Sequence, residues 1–438
     1  MTNNKSKNFM MILSALFILF FGFIPAPAGL TQVSMQVIGI FIGIMLMWNF
    51  VGTDWPSLLC MAILALFRIE TPGEIFKAGF GNATIAFLLV FFMMSHVLSQ
   101  VGFSRRMAVW FFTNKFARRS PWAFVIMFLF GAMFMASFMS QTAALLIFLP
   151  IAEQIFEELQ FQKGDRFPQM LVLGLGIAVG IGSANTPLGH AIILIPLQLL
   201  EAQTGQSVNI ISYSLFGIIT GLLIFASMIL LYKLVYRPDL SKLKNYDSAK
   251  LRDELAPMSK QEKIAASLFG VVIVIWILQG FLKNLLPTVG GYISSLGNAV
   301  PVMIAIILMC IVHVDGKPIM NYKDAATHGV PWSALIFNAA VLVLSGALVL
   351  EKVGISDFLI NTVSPMVSGV DEKVFILVIA ILCIFLTNFS SNTVCATVFF
   401  TISAPIAMAM GNVNMVALAS VIGAAASYAF ATPPSTMP

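Results

Sequence analysis

Charge is scarce in this chain. Aspartate, glutamate, lysine and arginine make up 10% of its 438 residues, against about 25% in a soluble globular domain. Hydrophobic residues make up 59%. A water-soluble core cannot hide that share, whereas a chain surrounded by lipid needs it. The net charge of +5 is therefore no nucleic-acid signal. Cysteine is scarce too. Cys60, Cys310, Cys383 and Cys395 form no CxxC pair and all lie in apolar runs. That excludes a disulfide framework or a zinc site and leaves small buried hydrophobes. Catalytic signatures are also missing: no HExxH, no GxSxG with a partnered histidine, no paired aspartates within apolar runs. No enzyme activity is expected, and a polytopic membrane enzyme or a passive channel is a remote alternative.

What is there is a series of membrane spans. A spanning helix needs about 20 apolar residues. Runs of that kind extend over 9–24, 33–50, 83–101, 210–235, 264–281, 300–314 and 333–350, with a shorter one over 55–67. Lys5 and Lys7 precede the first run, and Ala26-Pro27-Ala28 resembles a signal cleavage site. With so many spans following, an uncleaved first span fits better. Threaded with the N-terminus inside, the spans place nineteen of the 24 lysines and arginines on the inner side. The expectation is a multi-pass protein of the cell membrane, in contact with lipid, with a cytoplasmic N-terminus. Trp48, Trp55, Trp110 and Trp122 lie near span ends, where interfacial aromatics are expected. The polar stretch 237–263 reads as a solvated cytoplasmic linker. It separates an N-terminal half, 1–236, from a C-terminal half, 264–438.

The halves resemble each other. Leu98-Ser99-Gln100-Val101-Gly102-Phe103 matches Leu350-Glu351-Lys352-Val353-Gly354-Ile355. About 37 residues later come Ser140-Gln141-Thr142 and Ser391-Asn392-Thr393. Each triplet follows one apolar run and precedes another. Each half then carries a broken helix, predicted over 182–190 with Thr186-Pro187 and over 431–434 with Thr432-Pro433. The threading puts the copies upside down relative to each other, the signature of a transporter with its site near the midplane.

Polar backbone at membrane depth is tolerated inside protein or beside water. Each triplet fits the tip of a hairpin that enters the membrane and returns by the same side. Its hydroxyls are expected to cap the following half-helix, whose N–H groups carry a partial positive charge. A carboxylate suits that environment. Two tips could hold the two carboxylates of one small molecule, with Thr186, Pro187, Thr432 and Pro433 contributing from the breaks. No arginine or lysine lies in these deep segments, so binding by dipoles and hydroxyls is expected instead of ion pairs.

At these residues the sequence resembles the divalent anion:sodium symporter family (DASS, or INDY-like), whose mark is a Ser-Asn-Thr at each of two hairpin tips. Ser391-Asn392-Thr393 matches fully; Ser140-Gln141-Thr142 departs by Gln for Asn. The resemblance implies an all-α inverted-repeat transporter and a homodimer, each protomer having a scaffold and a mobile transport domain that moves as an elevator. It implies C4 to C5 dicarboxylates or citrate as cargo, with substrate-binding residues at Ser140, Gln141, Thr142, Ser391, Asn392 and Thr393. No organic cofactor is implied; sodium is the candidate ion. For a sodium-coupled member, Thr387, Ser391 and Asn392 offer the hard oxygen ligands. In the first half Ala136 stands at the place of Thr387, so that cation site looks degraded. His190 is a candidate to replace the missing charge. The main expectation is therefore the exchanger branch, with sodium-coupled symport as the alternative. Pro438 comes only a few residues after the second break, where the family pattern has the rest of that helix and a further span. A chain without them is expected to expose the break and to transport abnormally.

Overall fold

The computed structural model describes residues 4–162, 164–246, 248–253, 255–285, 287–367 and 369–430. In chain order the helices are α1 (Asn4–Phe20), α2 (Gln32–Phe50), α3 (Asp54–Leu66), α4 (Pro72–Ala78), α5 (Ala83–Gln100), α6 (Phe103–Thr113) and α7 (Pro121–Ala136). There follow α8 (Gln141–Glu158), α9 (Arg166–Asn185), α10 (Leu194–Thr204), α11 (Ile210–Leu231), α12 (Ala249–Asp253), α13 (Lys260–Leu285) and α14 (Pro287–Ser295). The last are α15 (Ala299–Ile311), α16 (Tyr322–Asp324), α17 (Trp332–Val349), α18 (Ile355–Val367), α19 (Glu372–Thr387), α20 (Asn392–Met410) and α21 (Met415–Ser427). Among the described residues, eight helices are long and apolar enough to cross a membrane. The one strand pair described joins β1 (His313–Val314) to β2 (Lys317–Pro318), antiparallel. Asp315 and Gly316 both have positive φ (51° and 77°), as a two-residue hairpin turn of matching twist requires.

Contacts divide the chain into two compact units. The first comprises Met1–Leu89, Ala191–Val208 and Pro331–Ser435. Its α2 approaches α1 through two glycines four residues apart. A Cβ on Gly39 would lie 2.6 Å from the Phe17 carbonyl, and one on Gly43 2.7 Å from that of Ser14. Small residues at this spacing let membrane helices pack backbone to backbone. The far end of α2 is anchored by Trp48. This indole is 3% exposed, donates to Ser57 Oγ at 3.1 Å and packs edge-on against Phe337. The interfacial expectation fails for Trp48 because its N–H finds a partner inside the fold, which a buried indole needs. Trp55 and Trp110, at 49% and 55% exposed, remain outward-facing. α17 is buried on almost every side and forms the centre of this unit.

The second unit comprises Val90–His190 and Asn209–Val330. Phe112, Phe128 and Phe148, from α6, α7 and α8, form one aromatic cluster, with Phe128 and Phe148 meeting at 5.3 Å and 88°. α11 is apolar all round and exposes Leu215, Ile219, Leu223 and Leu230, as a lipid-facing helix does. The stretch 237–263 is not simply solvated. Glu262 is 3% exposed and pairs with Arg106, whose Nη2 donates to Glu262 Oε2 at 3.0 Å and to the Ala256 carbonyl at 2.8 Å. Lys242 donates to the Gln160 carbonyl at 2.8 Å and sits over the Phe161 ring. A buried carboxylate is expensive without such a partner, so this run is strapped to its unit. Glu153, Glu157 and Glu158 are exposed, as the sequence suggested.

Candidate functional site

In the second unit α7 and α8 form a helical hairpin. The turn comprises 137–140, and Gln141 and Thr142 are already the first residues of α8. Ser140 is the N-cap: its backbone is extended and its Oγ accepts from the Ala143 N–H at 3.3 Å. This is the expected capping, since the first N–H groups of a helix have no partner within it. Gln141 turns back to α9, its Nε2 donating to Ser183 Oγ at 2.6 Å, and Ser183 donates on to the Gly180 carbonyl at 2.8 Å. Ser140 and Thr142 are exposed.

α9 stays helical through Asn185, later than the sequence suggested, and the break occupies 186–190. Gly182 does not break the helix, because its missing side chain is filled by the Met133 backbone of α7. Pro187 sets the stop: it disfavours helical geometry in the residue before it, and Thr186 is extended at φ −141°, ψ 152°. Thr186 is buried. Its hydroxyl donates to the Ser137 carbonyl and accepts from the N–H groups of Leu188 and Gly189 at 3.2 and 3.3 Å. The break is thus laced to the hairpin turn. A side chain on Gly189 would collide with the Ala136 carbonyl, and one on Gly217 of α11 with that of Asn185. Tyr213 donates to the Ala184 carbonyl at 3.1 Å, satisfying one of the last acceptors of α9. Pro187 is buried and His190 half-buried at the end of the break.

In the first unit α19 and α20 form the corresponding hairpin. The turn is 388–391, and Asn392 and Thr393 open α20. Ser391 is the N-cap by position, yet its side chain accepts no N–H. The expected capping is therefore absent here: the Ser391 N–H donates to Asn49 Oδ1 at 3.0 Å, so the residue is held from outside the hairpin. Thr387 is wholly buried. Its Oγ1 lies 2.8 Å from Asn392 Oδ1 and 2.8 Å from the Ala426 carbonyl of α21. A hydroxyl carries one proton, so it cannot fully satisfy both acceptors. Three uncharged oxygens gathered in this way are a donor set that suits a hard cation. Of the expected ligands, Thr387 and Asn392 come together; Ser391 makes no hydrogen bond to them. Ala426 contributes backbone alone, which no side-chain pattern could have revealed. Among the described residues no cluster of three or more His, Cys, Asp or Glu forms a metal site. Thr432 and Pro433 lie outside the described residues.

The citrate transporter family CitMHS matches residues 44–423 of the chain. The sodium-dependent dicarboxylate transporter SdcS of Staphylococcus saprophyticus is 25% identical over 424 residues, covering 91% of this chain and 79% of that protein. SdcS of Staphylococcus aureus (strain NCTC 8325) is 25% identical over 398 residues, covering 87% and 74%. Among solved structures the fold resembles the YdaH transporter of Alcanivorax borkumensis. The TM-score is 0.56 at 12% identity, over 92% of this chain and 88% of that one. This likeness speaks for the architecture alone: an almost entirely helical fold.

Proposed function

Because the chain belongs to the citrate transporter family CitMHS, we propose that it is a secondary transporter carrying a small dicarboxylate together with sodium. The observation that carries this proposal is the group of three oxygens at Thr387, Asn392 and Ala426. It lies at the N-terminal end of α20, where the helix dipole favours an anion. Cation and carboxylate are thus offered sites on one helix end: side-chain oxygen for the first, first-turn N–H groups for the second. The sodium dependence named for the SdcS relatives supports the same choice. The exposed Ser140 and Thr142 at the start of α8 are assigned to carboxylate binding on the same grounds. The inverted halves, the cytoplasmic N-terminus, the dimer and an elevator movement belong to this proposal.

The test is uptake of labelled succinate into empty proteoliposomes. The expected result is saturable uptake that rises with an inward sodium gradient. Uptake indifferent to sodium rejects the coupling. One observation favours a second reading, anion exchange: the first tip has Ala136 where the second has Thr387, and its Gln141 amide is engaged by Ser183. Exchange requires counterflow of succinate into dicarboxylate-loaded vesicles without sodium, and its absence removes that reading.

A further inference from the structure

Asn49 has no place in the sequence motifs, yet it is the residue that fixes the second tip. Its side chain makes three contacts with the turn before α20. Oδ1 accepts the Ser391 N–H at 3.0 Å, Nδ2 donates to Ser390 Oγ at 2.9 Å, and that hydroxyl approaches Oδ1 at 3.2 Å. An N-cap residue usually spends its own side chain on the first-turn donors, and its N–H is taken by the side chain at the third helical position. In α20 that third residue is Val394, which has no acceptor. Asn49 supplies the missing acceptor from a helix more than 300 residues away in sequence.

The consequence lies in what is left over. Ser391 is held by its backbone N–H, and its hydroxyl does not occupy the N–H groups that follow. Among the described residues no side chain accepts from the N–H groups of Asn392, Thr393 or Val394. Those donors remain for a carboxylate. At the first tip the same position is filled by Ser140 itself. The platform beneath Asn49 is firm, because the preceding residue is the buried Trp48, bonded to Ser57.

We propose that Asn49 is a positioning residue for the anion site at the second tip, setting substrate affinity by holding Ser390 and Ser391 in place from α2. This rests on the dicarboxylate reading above. The amide accepts the Ser391 N–H and donates to Ser390 Oγ, and an apolar side chain at position 49 removes both bonds.

The experiment is a double-mutant cycle on sodium-driven succinate uptake by the full protein in proteoliposomes. Asn49→Ala is expected to raise KM for succinate about tenfold, the scale of one well-placed hydrogen bond to a charged group's site, with the maximal rate kept. Ser390→Ala is expected to raise KM less. The double variant is expected to be no worse than Asn49→Ala, because both act through one contact. An unchanged KM in Asn49→Ala, a fall in maximal rate alone, or KM effects that multiply in the double variant each overturn the proposal. If Asn49→Ala does not reach the membrane, Asn49→Leu keeps the size and removes donor and acceptor without adding charge. It is expected to raise KM, and a wild-type KM overturns the role. Wild-type protein without saturable succinate uptake defeats the dicarboxylate reading instead. The contact is then read without transport, by oxidising the pair Asn49→Cys and Ser390→Cys and cutting the chain at a protease site introduced within 237–263. Fragments that stay joined support the contact; fragments that separate overturn it.

Discussion

The two hairpin tips share an outline and differ in how they are wired. Each is a helix, a four-residue turn and a second helix opened by a Ser-x-Thr, followed by a helix that ends near the turn. In the second unit the tip is tied to its own following helix and to α9. Ser140 caps its own helix, Gln141 reaches Ser183, and Thr186 and three glycines bind the break to its neighbours. In the first unit the tip is held by the distant Asn49, and its first side chain is shared with a hydroxyl that has one proton for two acceptors. The lesson is that a duplicated motif can keep its backbone course while its polar groups are reassigned. The second-unit tip spends its cap and its Gln141 amide on neighbouring groups, whereas the first-unit tip leaves one hydroxyl proton between two acceptors.

Substitutions can break this contrast, and the largest effect belongs to the packed tip. Gly189→Val drives a side chain into the Ala136 carbonyl and the Ser183 backbone, which cannot rotate away. Overpacking of this kind costs about 3 kcal/mol. The expected outcome is a lowered melting temperature in detergent and loss of uptake; a wild-type melting curve would contradict the packing described here. At the other tip, Asn392→Ala removes an oxygen without touching the packing. Thr387 keeps the Ala426 carbonyl, so stability should hold. The sodium concentration for half-maximal uptake should rise roughly 10- to 100-fold, as expected for one ion-facing group. An unaltered sodium curve counts against the cation assignment.

Smaller effects sharpen the contrast. Gln141→Asn restores the family residue but is one methylene too short to reach Ser183. About 1 kcal/mol of stability should go with that hydrogen bond, together with a severalfold change in sodium dependence, measured by uptake at fixed succinate. His190→Gln is expected to leave the sodium and pH dependence of uptake within about twofold, since Gln offers an uncharged donor and acceptor in place of the imidazole. A larger shift would return His190 to the mechanism as a stand-in for the cation. The smallest effect is expected away from both tips. Hydrogen bonds from Gln100 and His96, and then His328, hold the Asp324 carboxyl below the usual aspartate range. A depressed value means its contribution to stability is present above the ordinary aspartate pKa and is lost as pH falls through the lowered one. Thermal unfolding near neutral pH should therefore show no step from this group, and Asp324→Asn should flatten the acid limb of the curve.

The spans and the caps were legible because they depend on local chemistry. Apolar runs announced the long helices, and serine ahead of an apolar run announced the starts of α8 and α20. Ser391 shows the limit of that rule: it stands at the N-cap position without capping, and a remote amide holds its N–H. Trp48 fails for a related reason. Its place near a span end fits a lipid interface, but Ser57 and Phe337 draw it inside. The end of α9 came later than the glycines suggested, since Gly182 is a packing residue and Pro187 is the stop. Glu262 looked solvated within a charged run, and its partner Arg106 lies 156 residues earlier. In each case the missing information was the identity of a neighbour brought in by another helix.

The double duty of Asn392 has a thermodynamic consequence. On the proposed function its side chain faces a cation while the turn of backbone it begins faces an anion. Neither ligand can then settle without adjusting the ground on which the other stands. Linkage makes such an influence mutual. Whatever factor sodium adds to the affinity for a dicarboxylate, the dicarboxylate must return to the affinity for sodium. A pair of equilibrium titrations, each run with and without the other solute, has to close that square, with no rate entering at all.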